Sequence, residues 1–179
     1  PYAKFKSFES QAMAEKAFNE SFEQYKGKKV ASSPTLSPLE LERIGSPILP
    51  SIAVDAACSG NPGIMEYRGV DTETQAEIFR IAPIKDGTNN IGEFLAIVHA
   101  LAFMKQRNLS LPVYSDSKIA MSWVRQKVCK TKVPRTSHNE KIFELIARAE
   151  QWLHNNTYPN PILKWETQVW GENPADFGR

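Results

Sequence analysis

The chain has 179 residues, 41% hydrophobic and 23% charged, with a formal net charge of +2. That is ordinary globular composition, enough for one well-buried domain and a small appendage, and the charge is too mild to prove a polyanionic partner. The longest apolar run, Phe94 to Met104, contains His99 and is too short to span a bilayer, and Cys58 and Cys129 offer neither a disulfide framework nor zinc-ligand spacing.

Residues 1–27 read as a strand, Tyr2-Ala-Lys-Phe-Lys-Ser-Phe8, followed by an amphipathic helix with Phe18, Phe22 and Tyr25 at helical spacing. Such a pair cannot close a core alone, so an upstream piece is expected before Pro1. Residues 28–50 are rich in Pro, Ser and Lys and read as a linker, with one helical turn near Leu39 to Ile44. Strands are then expected at 51–58, 64–70 and 76–83, the first two separated by the turn Ser59-Gly-Asn-Pro-Gly63. A helix over 91–107, a buried strand at 111–115 and helices over 116–127 and 138–155 follow. A strand, Ile162 to Thr167, and a final short helix carrying Asp176 complete the pattern. Three adjacent strands followed by helix–strand alternation predict an α/β chain with a mixed five-stranded sheet, three antiparallel and then parallel, flanked by helices.

That topology brings four acids together. Asp55 lies on the first strand and Glu93 opens the crossover helix in Thr88-Asn-Asn-Ile-Gly-Glu93. Asp116 follows the fourth strand in Tyr114-Ser-Asp116, and Asp176 closes Trp170-Gly-Glu-Asn-Pro-Ala-Asp176. Two carboxylates about 4 Å apart repel by roughly 4 kcal/mol even at an effective dielectric of 20. Hard divalent cations relieve that cost while keeping positions for water and phosphate, so the quartet points to metal-assisted phosphodiester chemistry. From Ser117 to Asn139 there is no acid, while Lys118, Arg125, Lys127, Lys130, Lys132 and Arg135 all fall inside; the run can neutralise phosphates or be a solvated face.

The blocks around these acids, Asp55-Ala-Ala-Cys-Ser-Gly-Asn-Pro-Gly63, Thr88 to Ala96, Tyr114 to Ser117 and Trp170 to Asp176, resemble type 1 ribonuclease H over residues 51–179. The chain is most similar to the compact bacterial subgroup that lacks a long basic handle, since only Val128 to Ser137 occupies that place. Residues 1–27 resemble the second half of the hybrid-binding domain that precedes the catalytic domain in many such enzymes. The resemblance implies a ribonuclease H-like fold and a two-metal hydrolase that cuts the RNA strand of RNA/DNA hybrids, with 5'-phosphate and 3'-hydroxyl products. It implies two Mg2+ ions, with Mn2+ as substitute, held by Asp55, Glu93, Asp116 and Asp176. Where many relatives carry a mobile histidine, this chain has Glu172, which the resemblance makes a substitute acting near the water-activating metal; none of His99, His138 or His154 falls at that slot.

By the same resemblance Gly60, Asn61, Asn89 and Asn90 read 2'-hydroxyls beside the metals, although their motifs also serve as plain turn and helix-cap sequences. Thr88, Asn90 and Thr131 match a pocket for a DNA-strand phosphate, with Lys132 where relatives carry a second hydroxyl, and Lys164 lies near the active edge. Trp152 and Trp165 are expected to pack in the core; Trp123 is expected near the DNA strand. A cytoplasmic monomer is expected, needing no protein partner and no membrane. A catalytically weak hybrid-binding scaffold and a DNA-directed nuclease or recombinase of the same fold remain alternatives.

Overall fold

The structure, a computed structural model, describes residues 36–178. The strand and helix expected over residues 1–27 lie outside the described residues. A short helix, α1 (Pro38–Ile44), comes first, started by a reciprocal cap in which Ser37 donates to Glu40 and receives its N–H. From Leu41 onward the chain forms one compact unit.

Within that unit the strands are β1 (Ile52–Cys58), β2 (Gly63–Asp71), β3 (Glu77–Gly87), β4 (Val113–Ser115) and β5 (Ile162–Lys164). The helices are α2 (Asn89–Gln106), α3 (Lys118–Gln126), α4 (Glu140–Asn155) and α5 (Thr167–Trp170). The sheet order is β3-β2-β1-β4-β5, with β1–β2 and β2–β3 antiparallel and β1–β4 and β4–β5 parallel. This is the mixed five-stranded α/β sheet expected from the sequence.

β1 is central because both of its faces are apolar. Ile52, Val54 and Ala56 join the larger core with α2, while Ala53 joins a second cluster with Val70, Tyr114, Trp165 and Ala175. Lying under the sheet and between other helices, α2 is apolar nearly all round, and Phe94, Ile97, Leu101 and Met104 are fully buried. Each such side chain contributes about 1.5–3 kcal/mol on burial. Thr88 caps α2 by accepting from the Ile91 N–H at 3.4 Å, and Asn108, at φ +54°, turns the chain away after it. Asn89 and Asn90 therefore occupy the first turn of α2 rather than the loop before it.

The C-terminal acid departs from expectation. α5 ends at Trp170, and Asp176 lies beyond it in a turn closed by its N–H donating to Asn173 O at 2.8 Å. Gly171 at φ +80° breaks the helix, Pro174 removes a donor, and Asn173 bonds the Ala175 N–H with its side chain. β5 also stops at Lys164 instead of Thr167, although the Trp165 N–H still reaches Ser115 O at 3.0 Å. The residues before β1 are tied to the sheet: the Ile48 N–H donates to the Tyr114 hydroxyl at 2.9 Å and the Trp170 indole to Gly45 O at 2.7 Å. Trp165 is buried as expected and Trp152 packs against the main core, stacked on Tyr158. No described helix is long and apolar enough to cross a membrane.

Candidate active site

Parallel pairing of Ile52 with Val113 and Ala53 with Tyr114 runs β1 and β4 side by side, so Asp55 and Asp116 leave the same end of the sheet as neighbours. Glu93 reaches them from the second turn of α2. Oxygens of Asp55, Glu93 and Asp116 lie within 4.8 Å of one another. Glu93 is 2% exposed and Asp55 6%, while Asp116 sits on the open rim.

Glu93 is held from three sides. Its Oε1 accepts from the Ala56 N–H at 3.3 Å and the Asn89 amide at 3.5 Å, and its Oε2 accepts from the Ser115 hydroxyl at 3.3 Å. Burial pushes its carboxyl well above the usual range, and the Asp55 charge pushes it further. Burial likewise raises Asp55 to about 6; its hydrogen bond with Glu93 opposes the rise, and the charges of Asp116 and Asp176 add to it. Burial raises Asp116 as well, with Asp176 reinforcing and the Lys164 ammonium opposing. Three crowded carboxyls that resist ionising are a donor set whose electrostatic cost a hard divalent cation removes. The residues present therefore fit a hard divalent cation, which Asp55, Glu93 and Asp116 would hold through carboxylate oxygens.

Asp176 stands outside the tight triad, exposed, but shares with Asp55 the wall of a cleft of about 420 Å³ that also includes Cys58, Ser59 and Phe177. Its Oδ1 accepts from the Gly178 N–H at 2.7 Å. Glu172 is exposed in the same loop, on the far side of Asn173 and Pro174. Gly60, at φ +139°, and Asn61 occupy the exposed turn after β1.

A separate cavity of about 470 Å³ gathers Asn61, Thr88, Asn90, Trp123, Thr131 and Lys132. Segments remote in sequence thus line one hollow, and Trp123, one of its lining residues, packs edge-on to Phe94. Lys164 is not part of it. It borders a third cleft with Asp116 and Gln168, and its Nζ is engaged by Glu166 Oε2 at 2.7 Å. That pair is about one-third exposed, so separating it costs at most about 1 kcal/mol.

Sequence reasoning missed three residues that organise the centre. Ser115 and Asn173 act through hydrogen bonds, the latter donating to Val54 O at 2.9 Å and so pinning the C-terminal loop onto β1. Arg68 donates from Nε to Ala175 O at 2.8 Å and from Nη2 to Asp176 O. Asn173 and Ser115 stood within the recognised blocks Trp170 to Asp176 and Tyr114 to Ser117; Arg68 carried no signal beyond being a polar residue in a strand.

Residues 50–162 match the family model for RNase H. A ribonuclease H of Francisella philomiragia subsp. philomiragia is 36% identical over 78 residues, covering 40% of this chain and 47% of the relative. One from Francisella tularensis subsp. novicida is 35% identical over 78 residues with the same coverage. The chain thus spans about half the length of the curated relatives it matches. Among solved structures, LC11-RNase H1 isolated from compost by a metagenomic approach is 21% identical, covering 68% of this chain and 89% of its own, at a TM-score of 0.41. RNase H1 from the halophilic archaeon Halobacterium salinarum is 18% identical, with 64% and 83% covered and a TM-score of 0.40. With the family model matched over more than half its length, this chain belongs to the ribonuclease H family.

Proposed function

We propose that the chain is a metal-dependent endonuclease that hydrolyses the RNA strand of RNA/DNA hybrids, leaving 5'-phosphate and 3'-hydroxyl ends. The observation that carries this reading is the triad Asp55, Glu93 and Asp116, its oxygens within 4.8 Å of one another in a chain of this family. Two Mg2+ ions, or Mn2+ in their place, are the cations we assign, and Asp55, Glu93, Asp116 and Asp176 would hold them. Glu93 and Asp116 serve the leaving-group side; Asp176, with Glu172 nearby, serves the water side. Such ions, when bound, generate the nucleophile at neutral pH and stabilise charge on the departing oxygen.

The protein's own groups supply position and selectivity. Glu93, fixed by Ala56, Asn89 and Ser115, gives a rigid oxygen pair that needs no reorganisation. To Gly60, Asn61, Asn89 and Asn90 we assign, through their backbone and amide groups, the reading of 2'-hydroxyls, the feature that separates RNA from DNA; of the four, Asn89 bonds Glu93. Thr88, Asn90, Thr131 and Lys132 border the cavity we assign to a DNA-strand phosphate, with Trp123 also lining it. Lys132 adds a point charge there without the directional bonds of a second hydroxyl. Lys164 reaches substrate phosphate by releasing Glu166. A monomer acting in the reducing cytoplasm completes the reading, since Cys58 and Cys129 are free thiols.

The test is cleavage of end-labelled RNA/DNA, RNA/RNA and DNA/DNA duplexes in Mg2+, with and without chelator, using Asp116→Asn as control. Chelator-sensitive cutting of the RNA strand of the hybrid alone is expected, with the variant binding but not cutting. Hybrid binding without cutting by the wild-type chain would make this a scaffold; cutting of DNA/DNA would make it a DNA-directed nuclease.

A further inference from the structure

The loop that carries Asp176 has no helix or strand to hold it. The Trp165 indole donates to Gly171 O at 2.9 Å at the start of the loop, Ala175 is buried in the second core cluster, and the Asn173 amide donates to Val54 O on β1. Arg68 reaches the loop from β2, where it stands opposite Asp55 in the antiparallel register. Its guanidinium donates from Nε to Ala175 O at 2.8 Å and from Nη2 to Asp176 O. Its third corner meets Glu77 Oε2 at 3.4 Å, and its plane lies 4.9 Å from the Phe177 ring centroid. Arg80 lies over the same ring at 5.2 Å and bonds the same Glu77 carboxylate at 3.3 Å.

We propose that Arg68 is a positioning residue that sets where the Asp176 carboxylate stands relative to Asp55, and through it the affinity of the second, water-side cation. This rests on the metal-dependent nuclease reading. The rigid fork of a guanidinium can bond two successive carbonyls and stack on an aromatic ring at once; a lysine at the same place reaches one carbonyl and has no fork. Because Asp55 and Arg68 are cross-strand partners, the distance between one metal ligand and the anchor of the other is built into the β1–β2 ladder. Loss of the fork removes the two contacts that hold the carbonyls of Ala175 and Asp176 themselves, letting the Asp176 carboxylate sample positions away from Asp55. Residues that orient metal ligands in this way typically change metal affinity by 10–100-fold when removed.

The experiment is Mn2+ titration of the substrate-free protein, followed by electron paramagnetic resonance and calorimetry, for wild type, Arg68→Met, Arg68→Lys, Asp176→Asn and the double variant Arg68→Met/Asp176→Asn. Two sites of unequal affinity are expected in wild type. Arg68→Met should weaken the looser site by about tenfold and leave the tighter triad site unchanged. Arg68→Lys should fall between, and Arg68→Met should add nothing in the Asp176→Asn background. Glu77→Gln, which leaves both carbonyl contacts in place, should titrate as wild type. Should Arg68→Met fail to fold, Arg68→Lys gives the reading, with a smaller weakening of the same site expected. Wild-type affinity at both sites in a folded Arg68 variant, equal weakening of both sites, or a single site in wild type would overturn the assignment. Wild-type hybrid cleavage is run in parallel: its absence alongside an Arg68-dependent second site sinks the nuclease reading only, and its presence alongside Arg68-independent binding sinks this one only.

Discussion

The Ala56 N–H donates to Glu93 Oε1 at 3.3 Å, joining the end of β1 to the second turn of α2. One backbone donor thereby links the strand that carries Asp55 to the helix that carries Glu93. The spacing works because Gly92 lies against Ala56: a Cβ built at Gly92 would stand 2.7 Å from the Ala56 Cβ and 3.1 Å from Met65 Cγ. The missing side chain lets helix and strand approach closely enough for the two carboxyls to meet.

Gly92→Ala should therefore separate function from propensity. Alanine favours a helix by about 1 kcal/mol over glycine, yet overpacking against a Cβ that cannot rotate away costs about 1–3 kcal/mol. The expected net is a modest loss of stability with a displaced Glu93. Cleavage should fall by about 10- to 100-fold, because small displacements of a positioned group are that costly. Thermal melts and cleavage against Mg2+ concentration check this; an unchanged Mg2+ dependence with normal rate would sink it.

The raised Asp55 gives the metal-free protein a pH signature. Its folded value of about 6 lies above the unfolded value of 3.8, so between those limits the folded state holds more protons. Stability from this group is present below about pH 4 and is lost as pH rises through about 6. The raised Glu93 acts in the same direction. Asp55→Asn removes that loss, so without metal its melting temperature should gain on wild type by a few degrees between pH 4 and 7. Adding Mg2+ at pH 7.5 should raise the melting temperature of wild type and not of the variant. A melting difference that is flat with pH would contradict the assignment.

How much of this was legible depends on the element. β1 and α2 could be read because each is apolar on every side that meets the protein, and the acids follow from where those elements end. The Asp176 segment could not be read as well: the Thr167–Trp170 turn invites extension of the helix, and the break is made by Gly171, Pro174 and the Asn173 side chain together. The Asp55–Arg68 pairing was hidden too, since it depends on the register of the β1–β2 hairpin, which the two strands' apolar patterns alone do not set. Lys164 borders a cleft with Asp116, and its Glu166 partner was not seen in the sequence, because pairing across two residues at a strand end needs the bend after Lys164.

Lys132 provides a test of the cavity proposed to take a DNA-strand phosphate. It is exposed on a loop beside Thr131, where neutralising one phosphate releases counterions and adds about 0.9 to the slope of log affinity against log salt. Lys132→Ala should lower that slope for hybrid binding by about one and weaken binding without altering strand selectivity. Measured slopes for wild type and variant that coincide would remove Lys132 from the interface.

Glu172 separates a role in turnover from one in metal capture. It is exposed in the loop of Asp176, and Asn173 and Pro174 between them fix the chain's path rather than extend α5. On the reading proposed above, that carboxylate would act near the water-side cation without entering the buried triad. Glu172→Ala should consequently slow multiple turnover by about tenfold, equivalent to about 1.4 kcal/mol. Single-turnover chemistry and Mn2+ affinity of the triad should change far less. Pre-steady-state cleavage with excess enzyme, set against steady-state rates, makes the distinction. Wild-type multiple turnover would leave Glu172 as no more than a charge at the end of a loop, whereas loss of the single-turnover rate would move it into the ligand set with Asp176.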